Sequence, residues 1–494
     1  MFLGIDIGTS SVKAVLVDDA GAVAGQASAP LPVSRPYPGW SEQSPADWWT
    51  ATNRAVIALE VQRRRQVRAI GLSGQMHGAT LLDAADRPLR PAILWNDGRS
   101  AAQCAALERA VPASRQITGN LAMPGFTAPK LLWVKQHEPD AFAATRCVLL
   151  PKDYMRLCMT GAKATDVSDA SGTLWLDVAQ RAWSDEMLAA TGLAQDQMPR
   201  LHEGCEITGA LRHEVAAAWG MEPVVVAAGG GDNAAGAVGV GVIDEGDALL
   251  SLGTSGVLFV AGRAFRPNPE RAVHAFCHAL PQRWHQMSVM LSAASALDWA
   301  ARLTGSADAR ALIALAQARG RLDGREIFLP YLSGERTPHN DPAARGVLFG
   351  LDHESDAAAI GQAVLEGVAF GLADGLDALI EAGAAIKQIS MIGGGARSPW
   401  WGRVLAAALN RPLTYRLGAD VGPAYGAARL ARLAVTRELS GEFCAPPPIE
   451  AVIEPDARDV AVLTPKRHMF EHLYGDLRGR FDDHLLGATI ENKS

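Results

Sequence analysis

The chain has 494 residues, which is more than one hydrophobic core ordinarily supports, so at least two domains are expected. Its composition, with 48% apolar and 20% charged residues, is that of a globular protein and excludes a disordered or fibrous one. The net charge of -7 arises from charges spread along the chain, which excludes a nucleic-acid-binding surface and favours a small-molecule partner.

The six cysteines are scattered and form no CxxC pair, which indicates a reducing compartment and no structural zinc site. The apolar N-terminal stretch is interrupted by Asp6 and has no basic segment before it, so no signal peptide is expected. No segment supplies the roughly 20 apolar residues that a membrane span needs. A cytoplasmic protein without membrane contact is therefore expected.

The first predicted element is a pair of buried strands within residues 3–17, joined by the turn of Gly8, Thr9 and Ser10. Such a turn offers backbone N–H groups and hydroxyls that suit phosphate oxygens, although a single turn of this composition is more often an ordinary hairpin. Asp6 lies in the first strand, where a buried carboxylate needs a partner or a cation. We therefore expect Asp6 to organise Mg²⁺, through water.

Two polar loops come next along the chain. Residues 71–78 follow a predicted strand and carry Gln75, Met76 and His77 on a loop flanked by glycines. A histidine among polar side chains can hydrogen-bond a sugar hydroxyl, but a histidine in a loop can also be incidental. Residues 95–99 combine a tryptophan with hydrogen-bonding groups, which is typical of polyol sites. Together the loops predict a pocket that reads hydroxyl groups.

A buried strand at residues 224–228 runs into three glycines, which are followed by Asp232 and Asn233 at the start of a helix of small residues. Glycines let a backbone approach a ligand, and an aspartate at this corner could accept the proton of an attacking hydroxyl. The alternative is that Asp232 only caps the helix. Residues 393–398 have a similar strand-to-helix build without a carboxylate at the corner, which predicts a nucleotide seat.

Two features of the first half recur in the second half. The turn of Gly253, Thr254 and Ser255 lies between two buried runs, as the first Gly-Thr-Ser turn does. Residues 422–429 repeat the small-residue pattern of residues 232–239. A repeat this long suggests duplicated domains and not a solenoid.

Between these features, strands alternate with helices, for example a predicted helix at residues 355–383 before a strand at 388–392. This alternation is typical of α/β folds. No low-complexity linker separates the halves, and we place their boundary near residues 242–246. The predicted domains are therefore residues 1–243 and 244–494.

Several motifs together resemble the FGGY family of carbohydrate kinases, which phosphorylate sugars with ATP and Mg²⁺. The motifs follow one another along almost the whole chain, at residues 71–80, 93–99, 123–130, 125–137 and 331–339. The amino-acid sequences of these motifs are similar to those of the family branch that acts on D-xylulose in D-xylose catabolism. The resemblance implies an α/β fold of two actin-like (ribonuclease H-like) domains flanking a catalytic cleft, with sugar and phosphates in the N-terminal domain and nucleotide in the C-terminal one.

The resemblance also implies roles for individual residues. Asp232 would be the general base on the terminal hydroxyl of the sugar, and Asp6 would hold the metal. The residues that would touch the sugar are Met76, His77, Asp232 and Asn233. The residues that would face the phosphates of ATP are Thr9, Ser10, Lys13, Gly253 and Thr254. The residues that would lie against the adenosine are Gly394, Gly395 and Ala396.

Three alternatives remain open at this point. The first is a kinase for another polyol, such as ribulose, gluconate or glycerol. The second is an actin-like or chaperone-like ATPase that acts on a protein, against which the two polar loops argue. The third is a sugar-responsive regulator, which the absence of a helix-turn-helix segment before the phosphate motif makes a poor fit. Family members are often dimers, so a homodimer is expected by analogy.

Overall fold

Two seven-stranded sheets with helices packed on them form the core of the computed structural model, which describes residues 1–417, 422–438 and 443–491. The side chains of Ala396 and of residues 482–491 are outside that description. The predicted α/β class is confirmed.

The first sheet contains β1 (Phe2–Ile7), β2 (Ser11–Val17), β3 (Val23–Pro30), β4 (Ala69–Gly74), β5 (Ile207–Ala210), β6 (Val225–Ala227) and β7 (Gly230–Gly231). The second sheet contains β8 (Asp247–Leu252), β9 (Gly256–Gly262), β10 (His274–Cys277), β11 (Trp284–Met290), β12 (Gln388–Ile392), β13 (Leu413–Arg416) and β14 (Ile449–Ile453). Five two-stranded sheets pair Glu42–Gln43 with Ala92–Ile93, Thr80–Leu82 with Cys147–Leu149, Ala164–Asp166 with Arg200–His202, Leu176–Asp177 with Ala182–Trp183, and Ile327–Leu329 with Val347–Phe349 among the described residues.

The helices of the first half are α1 (Pro45–Ile57), α2 (Val61–Arg64), α3 (Ala101–Ala110), α4 (Ser114–Thr118), α5 (Thr127–His137), α6 (Pro139–Ala144), α7 (Pro151–Thr160), α8 (Val167–Ser171), α9 (Asp185–Thr191), α10 (His213–Trp219) and α11 (Asp232–Val240). Those of the second half are α12 (Ala294–Thr304), α13 (Ala309–Arg319), α14 (Ala357–Glu381), α15 (Pro399–Leu409), α16 (Gly422–Thr436) and α17 (Ala457–Glu491). The helix predicted at 355–383 and the strand predicted at 388–392 are thus confirmed. Nowhere in the described ranges does a helix have the length and apolar character needed to cross a membrane.

The two sheets repeat one topology. Their strand orders are β5-β6-β4-β1-β2-β3, with β7 beside β4, and β10-β11-β9-β8-β12-β13-β14. In each sheet a central strand, β1 or β8, has an antiparallel hairpin partner on one side and a parallel strand on the other. The central strands are buried on both faces, which explains their nearly continuous apolar sequences. This repetition confirms the duplication that the sequence predicts.

The two small-residue helices, α11 and α16, each pack on the sheet of the other half of the chain. Helix α16, from the second half, packs on the first sheet so closely that a Cβ atom on Gly4 would lie 1.7 Å from the carbonyl oxygen of Ala424. Helix α11, from the first half, packs on the second sheet, where Val240 joins a buried cluster with Leu249 and Phe259. The predicted boundary between the two domains remains a prediction, and each half contributes one helix to the other's core.

Helices α11 and α16 also contact each other directly. A Cβ atom on Gly426 would lie 1.7 Å from the carbonyl oxygen of Ala235, so only glycine permits this approach. The two echoing segments therefore form the crossing between the halves. Because Asp232 is the first residue of α11, the crossing also fixes the position of the predicted general base.

Candidate active site

The two Gly-Thr-Ser turns lie at the ends of the central strands, and the connection between the paired strands is one residue longer at the first turn than at the second. Ile7 pairs with Val12 across the first turn, whereas Leu252 pairs with Gly256 across the second. Within the described residues, the N–H groups of Thr9 and Ser10 have no hydrogen-bond acceptor. Free N–H groups at the end of a hairpin suit an anion. This arrangement is consistent with the prediction that the first turn faces the phosphates.

Asp6 carries an orphaned carboxylate oxygen close to the first turn. Its Oδ1 atom is buried and has no hydrogen-bond partner in the part of the chain that the structure describes. Burial and the nearby charge of Asp232 raise the pKa of Asp6 to about 7. The side chain of Ser73 opposes that rise, and so, to a smaller extent, does Lys13, which pairs with Asp6 across β1 and β2. A carboxylate in this state gains free energy from a divalent cation, so the environment of Asp6 fits Mg²⁺.

Asp232 is oriented by its neighbour. Its Oδ1 atom accepts hydrogen bonds from the backbone N–H of Asn233 at 2.7 Å and from the Nδ2 of the same residue at 2.9 Å. A capping aspartate would instead precede the helix and accept N–H groups two or three residues on, and Asp232 is already helical. Burial raises the pKa of Asp232 to about 6, while both bonds from Asn233 oppose the rise. The Oδ2 atom has no partner among the described residues, so it can accept a proton from a substrate.

His77 is held as a neutral hydrogen-bonding group. Its backbone is left-handed, with φ of 68°, and its Nδ1 atom lies 2.7 Å from the carbonyl oxygen of Gly172. Burial, and then the charge of Lys130, lower the pKa of His77 to about 3. Because Nδ1 must donate to that carbonyl, Nε2 carries a lone pair that can accept a hydrogen bond from a hydroxyl group.

Met76 joins this loop to the corner that bears Asp232. A Cβ atom on Gly231 would lie 3.0 Å from the sulfur of Met76, so the methionine packs on the corner glycine. The predicted sugar-contacting residues of the loop and Asp232 with Asn233 therefore line one region. Their roles remain predictions, but the structure brings them together although Asp232 lies 156 residues after Met76 in the chain.

A buried cluster of charges supports the same corner from beneath. The ammonium group of Lys152 contacts three carboxylates, those of Asp153 at 2.7 Å, Asp166 at 2.8 Å and Asp169 at 3.2 Å, and all four side chains are fully buried. These three aspartates raise the pKa of Lys152 above its usual range, although its burial acts in the opposite direction. Nothing in the sequence analysis found this cluster.

The cluster reaches the corner through Ser168. The hydroxyl group of Ser168 contacts Asp166, and it accepts the backbone N–H of Gly231 at 3.1 Å. The guanidinium group of Arg156 donates to the carbonyl oxygens of Ala227 at 2.8 Å and of the next residue at 2.5 Å. The glycine corner is thus hydrogen-bonded on both sides, just before Asp232.

The second polar loop contributes less to the cleft than its composition suggests. Arg99 and Asp97 form a buried ion pair with Nη2 to Oδ2 at 2.7 Å, and the guanidinium of Arg99 lies 3.5 Å from the centre of the Trp40 ring. These two residues therefore support the loop. Trp95 is partly exposed, and its indole N–H donates to the hydroxyl of Thr9 at 3.0 Å.

The predicted nucleotide seat borders a cavity of about 530 Å³, a volume within the range of small-molecule sites. The cavity is lined by Gly394 and Gly395, by Trp401, and by side chains of α12 and α13. The backbone of Ala396 lies in the same 3₁₀ turn, Gly394–Arg397, and its side chain is outside the described part of the structure. Gly253 and Thr254 adjoin the start of α12, because their carbonyl oxygens accept N–H groups from residues 293–295.

Arg336 is a candidate that the sequence analysis missed. Its Nη1 atom lies 3.5 Å from the Nε2 of His274, and after burial its charge is the largest cause of the lowered pKa of His274. Its charge also contributes to the lowered pKa of His77. The second half thus brings a cation near the loop of Met76 and His77, which is predicted to contact the sugar. The motif at residues 331–339 contains this arginine and was the available signal.

Comparison with known proteins agrees with this geometry. Residues 1–239 match the model of the N-terminal domain of the FGGY family of carbohydrate kinases, and residues 248–435 match that of its C-terminal domain. The xylulose kinase of Escherichia coli K12 is 58% identical over 97% of this chain and 99% of its own length.

Solved structures give the same result. The structure of a xyloylose kinase from Brucella ovis superimposes with a TM-score of 0.94 at 51% identity, covering 97% of this chain and 99% of its own. A xylulose kinase from Rhodospirillum rubrum gives a TM-score of 0.89 at 30% identity, with the same two coverages. The two-domain fold of sugar kinases that the sequence predicts is confirmed.

Proposed function

Since the chain belongs to the FGGY family of carbohydrate kinases, we propose that it transfers the terminal phosphoryl group of ATP to D-xylulose. The relatives named xylulose kinase, up to 58% identical over nearly the full length, support this choice of sugar. The product would be D-xylulose 5-phosphate. The observation that carries the proposal is the Asp232 carboxylate beside the loop of Met76 and His77: its pKa is raised to about 6, and its Oδ2 atom has no partner among the residues that the structure describes.

In the proposed reaction, Asp232 is the general base. The C5 hydroxyl oxygen of the sugar attacks the γ-phosphorus of ATP in line, and the bond to the bridging oxygen of ADP breaks as the new bond forms. The hydroxyl proton passes to Oδ2 of Asp232 and leaves to solvent after product release. Asn233 holds the other carboxylate oxygen, so the base keeps one orientation. His77 would fix the sugar by accepting a hydroxyl hydrogen bond at Nε2.

ATP would lie between the two turns and the glycine-lined cavity. The free N–H groups of Thr9 and Ser10, with Lys13, would face the phosphates from the first half, and Gly253 with Thr254 would face them from the second. The adenosine would occupy the cavity of about 530 Å³ beside Gly394, Gly395 and Ala396. Closure of the two halves would exclude water that competes with the sugar hydroxyl.

Mg²⁺ is the metal that we propose for the site, with Asp6 as its protein partner. Across the described residues no group of three His, Cys, Asp or Glu side chains could hold a metal by itself, so water and phosphate oxygens would complete the coordination. When bound, Mg²⁺ would neutralise charge on the phosphoryl oxygens. Asp6 itself would hold the cation's water in place with its orphaned Oδ1 atom.

We propose that the enzyme acts in the cytoplasm, as its six unpaired cysteines and its use of ATP suggest. A homodimer remains an expectation from family members, and sedimentation of the purified chain would test it.

The test of the function is ADP release by the purified protein with ATP and Mg²⁺, comparing D-xylulose, D-ribulose, L-ribulose, glycerol, gluconate and no sugar. We expect D-xylulose to give the highest kcat/KM. A higher value for another polyol would reassign the substrate, and turnover that is indifferent to sugar would replace the kinase with an ATPase.

A further inference from the structure

Gln75 connects two predicted parts of the site, the sugar-contacting residues Met76 and His77 and the phosphate turn of Gly8, Thr9 and Ser10. It directly precedes Met76 and His77, and its side chain is buried. The hydroxyl of Thr9 donates to Oε1 of Gln75 at 3.1 Å. The Nε2 of Gln75 donates to Oε1 of Gln43 at 2.8 Å and lies 3.4 Å from the carbonyl oxygen of Gly8. One amide therefore contacts the turn at two successive residues.

The direction of these hydrogen bonds is fixed by Gln43. Its Nε2 donates to the carbonyl oxygens of Thr9 at 2.7 Å and of Pro32 at 3.0 Å. Its Oε1 accepts from Gln75 and from the indole N–H of Trp48 at 2.9 Å. Turning either amide over would set like groups against each other, so the network has a single arrangement.

The same network occupies the hydroxyl of Thr9. The indole N–H of Trp95 can only donate, so it uses a lone pair of the Thr9 oxygen, and the Thr9 hydrogen points at Gln75. The hydroxyl has no hydrogen left for a phosphate oxygen. A phosphate at this turn would therefore meet the backbone N–H groups of Thr9 and Ser10, whose direction depends on how Gln43 and Gln75 hold the turn.

We propose that Gln75 is a positioning residue that couples sugar binding to the phosphate turn. A sugar held by Met76 and His77 immobilises the loop, the adjacent Gln75 amide is immobilised with it, and the N–H groups of Thr9 and Ser10 are thereby aligned for ATP. The inference rests on the proposed function. It predicts that sugar and ATP bind synergistically and that little ATP is hydrolysed without sugar.

The test compares wild type with Gln75→Met, which keeps the length of the side chain and removes its hydrogen bonds. Two quantities are measured: the ratio of the dissociation constants of a non-hydrolysable ATP analogue without and with D-xylulose, and the ratio of sugar-free ATP hydrolysis to sugar-dependent turnover. We expect the first ratio, which measures the coupling, to fall about 10-fold to about 1, a loss of about 1.4 kcal/mol, and the second ratio to rise about 10-fold. Gln75→Glu keeps an acceptor for Thr9 but sets an oxygen against the Oε1 of Gln43. Both ratios for this variant should lie between those of wild type and of Gln75→Met.

The matched control is Gln103→Met. Gln103 is also buried, and its amide donates to Gln136 at 3.0 Å in a helix pair away from the turn. It should keep both ratios at wild-type values even if its Tm falls. If Gln75→Met is too unstable to purify, Gln75→Glu carries the test alone.

The outcomes separate this inference from the proposed function. A wild type without D-xylulose-dependent ADP release would overturn the function itself. A wild type with that activity would overturn only the coupling if it lacked synergy, or if the Gln75 variants kept the wild-type ratios.

Discussion

The two Gly-Thr-Ser turns share a sequence and a place in the duplicated fold, yet they are supported differently. The first is held by side chains of Gln43, Gln75 and Trp95. The second is held by the start of α12, where the N–H of Ala294 donates to the carbonyl oxygen of Gly253 at 2.9 Å and the hydroxyl of Ser295 donates to that of Thr254 at 2.8 Å. A turn held by a helix end is part of a rigid body, whereas a turn held by a neighbouring loop can respond to what that loop binds.

The loops that follow the parallel strands differ in the same sense. In the first half, β4 leads into the loop of Met76 and His77, and in the second half the corresponding strand, β12, leads into Gly394 and Gly395. One topological position therefore carries the predicted sugar contacts in one half and the predicted adenosine contacts in the other. Duplication supplied two equal frames, and the side chains on the loops made them chemically different.

The largest expected effect comes from removing the Asp232 carboxylate, which has no counterpart in the similar strand-to-helix corner at residues 393–398. Asp232→Ala should lower kcat by about 10²- to 10⁴-fold, the usual share of general base catalysis, and should leave ATP binding intact. The matched control is Asp356→Ala, because Asp356 caps α14 by accepting the N–H of Ala359. If both variants lose only about 1 kcal/mol of stability and keep kcat, Asp232 is a cap and the base is misassigned.

The crossing of α11 and α16 gives the next effect, on stability. Gly426→Ala would place a methyl group 1.7 Å from the carbonyl oxygen of Ala235, so the two helices must separate, at a cost of about 1–3 kcal/mol or more. Thermal unfolding should show a Tm lower by several degrees.

Gly236→Ala is the control for this substitution. Gly236 lies in α11, and the nearest atom to its added methyl group would be the Cγ of Pro423 at 3.9 Å, an ordinary contact. Its Tm should be unchanged or slightly higher, since alanine favours a helix over glycine. Equal Tm losses in the two variants would contradict the close approach at Gly426.

Such close approaches are readable in a sequence, whereas hydrogen-bond networks are not. The small-residue echo and the Gly-Thr-Ser turns mark backbone requirements, and the structure confirms the duplication they predict. Gln43, Gln75 and Trp95 meet at Thr9 from separate parts of the chain, and no local pattern reveals that meeting. The exchange of α11 and α16 between sheets was hidden for the same reason, because it depends on how the halves pack.

A smaller effect tests the support of the Asp232 corner. Ser168→Ala removes the acceptor of the buried Gly231 N–H, which costs about 1–3 kcal/mol and lets the corner shift. We expect kcat to fall about 10-fold and the apparent pKa of the kcat profile to move. The control is Ser171→Ala, since Ser171 is equally buried in α8 and accepts the N–H of Cys277 at 3.0 Å. Equal losses of kcat in both variants would assign Ser168 a purely structural role.

The smallest effect concerns pH and is measured by replacing the Asp232 carboxylate with a neutral amide. The corner at Asp232 then carries no carboxylate, as is already the case at residues 393–398. The pKa of Asp232 is about 6 in the fold and about 3.9 in an unfolded chain, so the folded state binds the proton more tightly. This carboxyl therefore lowers stability as pH rises from about 4 to about 6, and the cost is constant above that range. Asp232→Asn should match the wild-type Tm near pH 4 and exceed it by a few degrees at pH 8. Wild-type kcat should change in the opposite sense, falling as pH drops through about 6, because the base becomes protonated. If the Tm difference between the variant and wild type is the same at both pH values, burial does not raise the pKa of Asp232. The carboxylate would then lack the raised pKa on which its role as general base is argued.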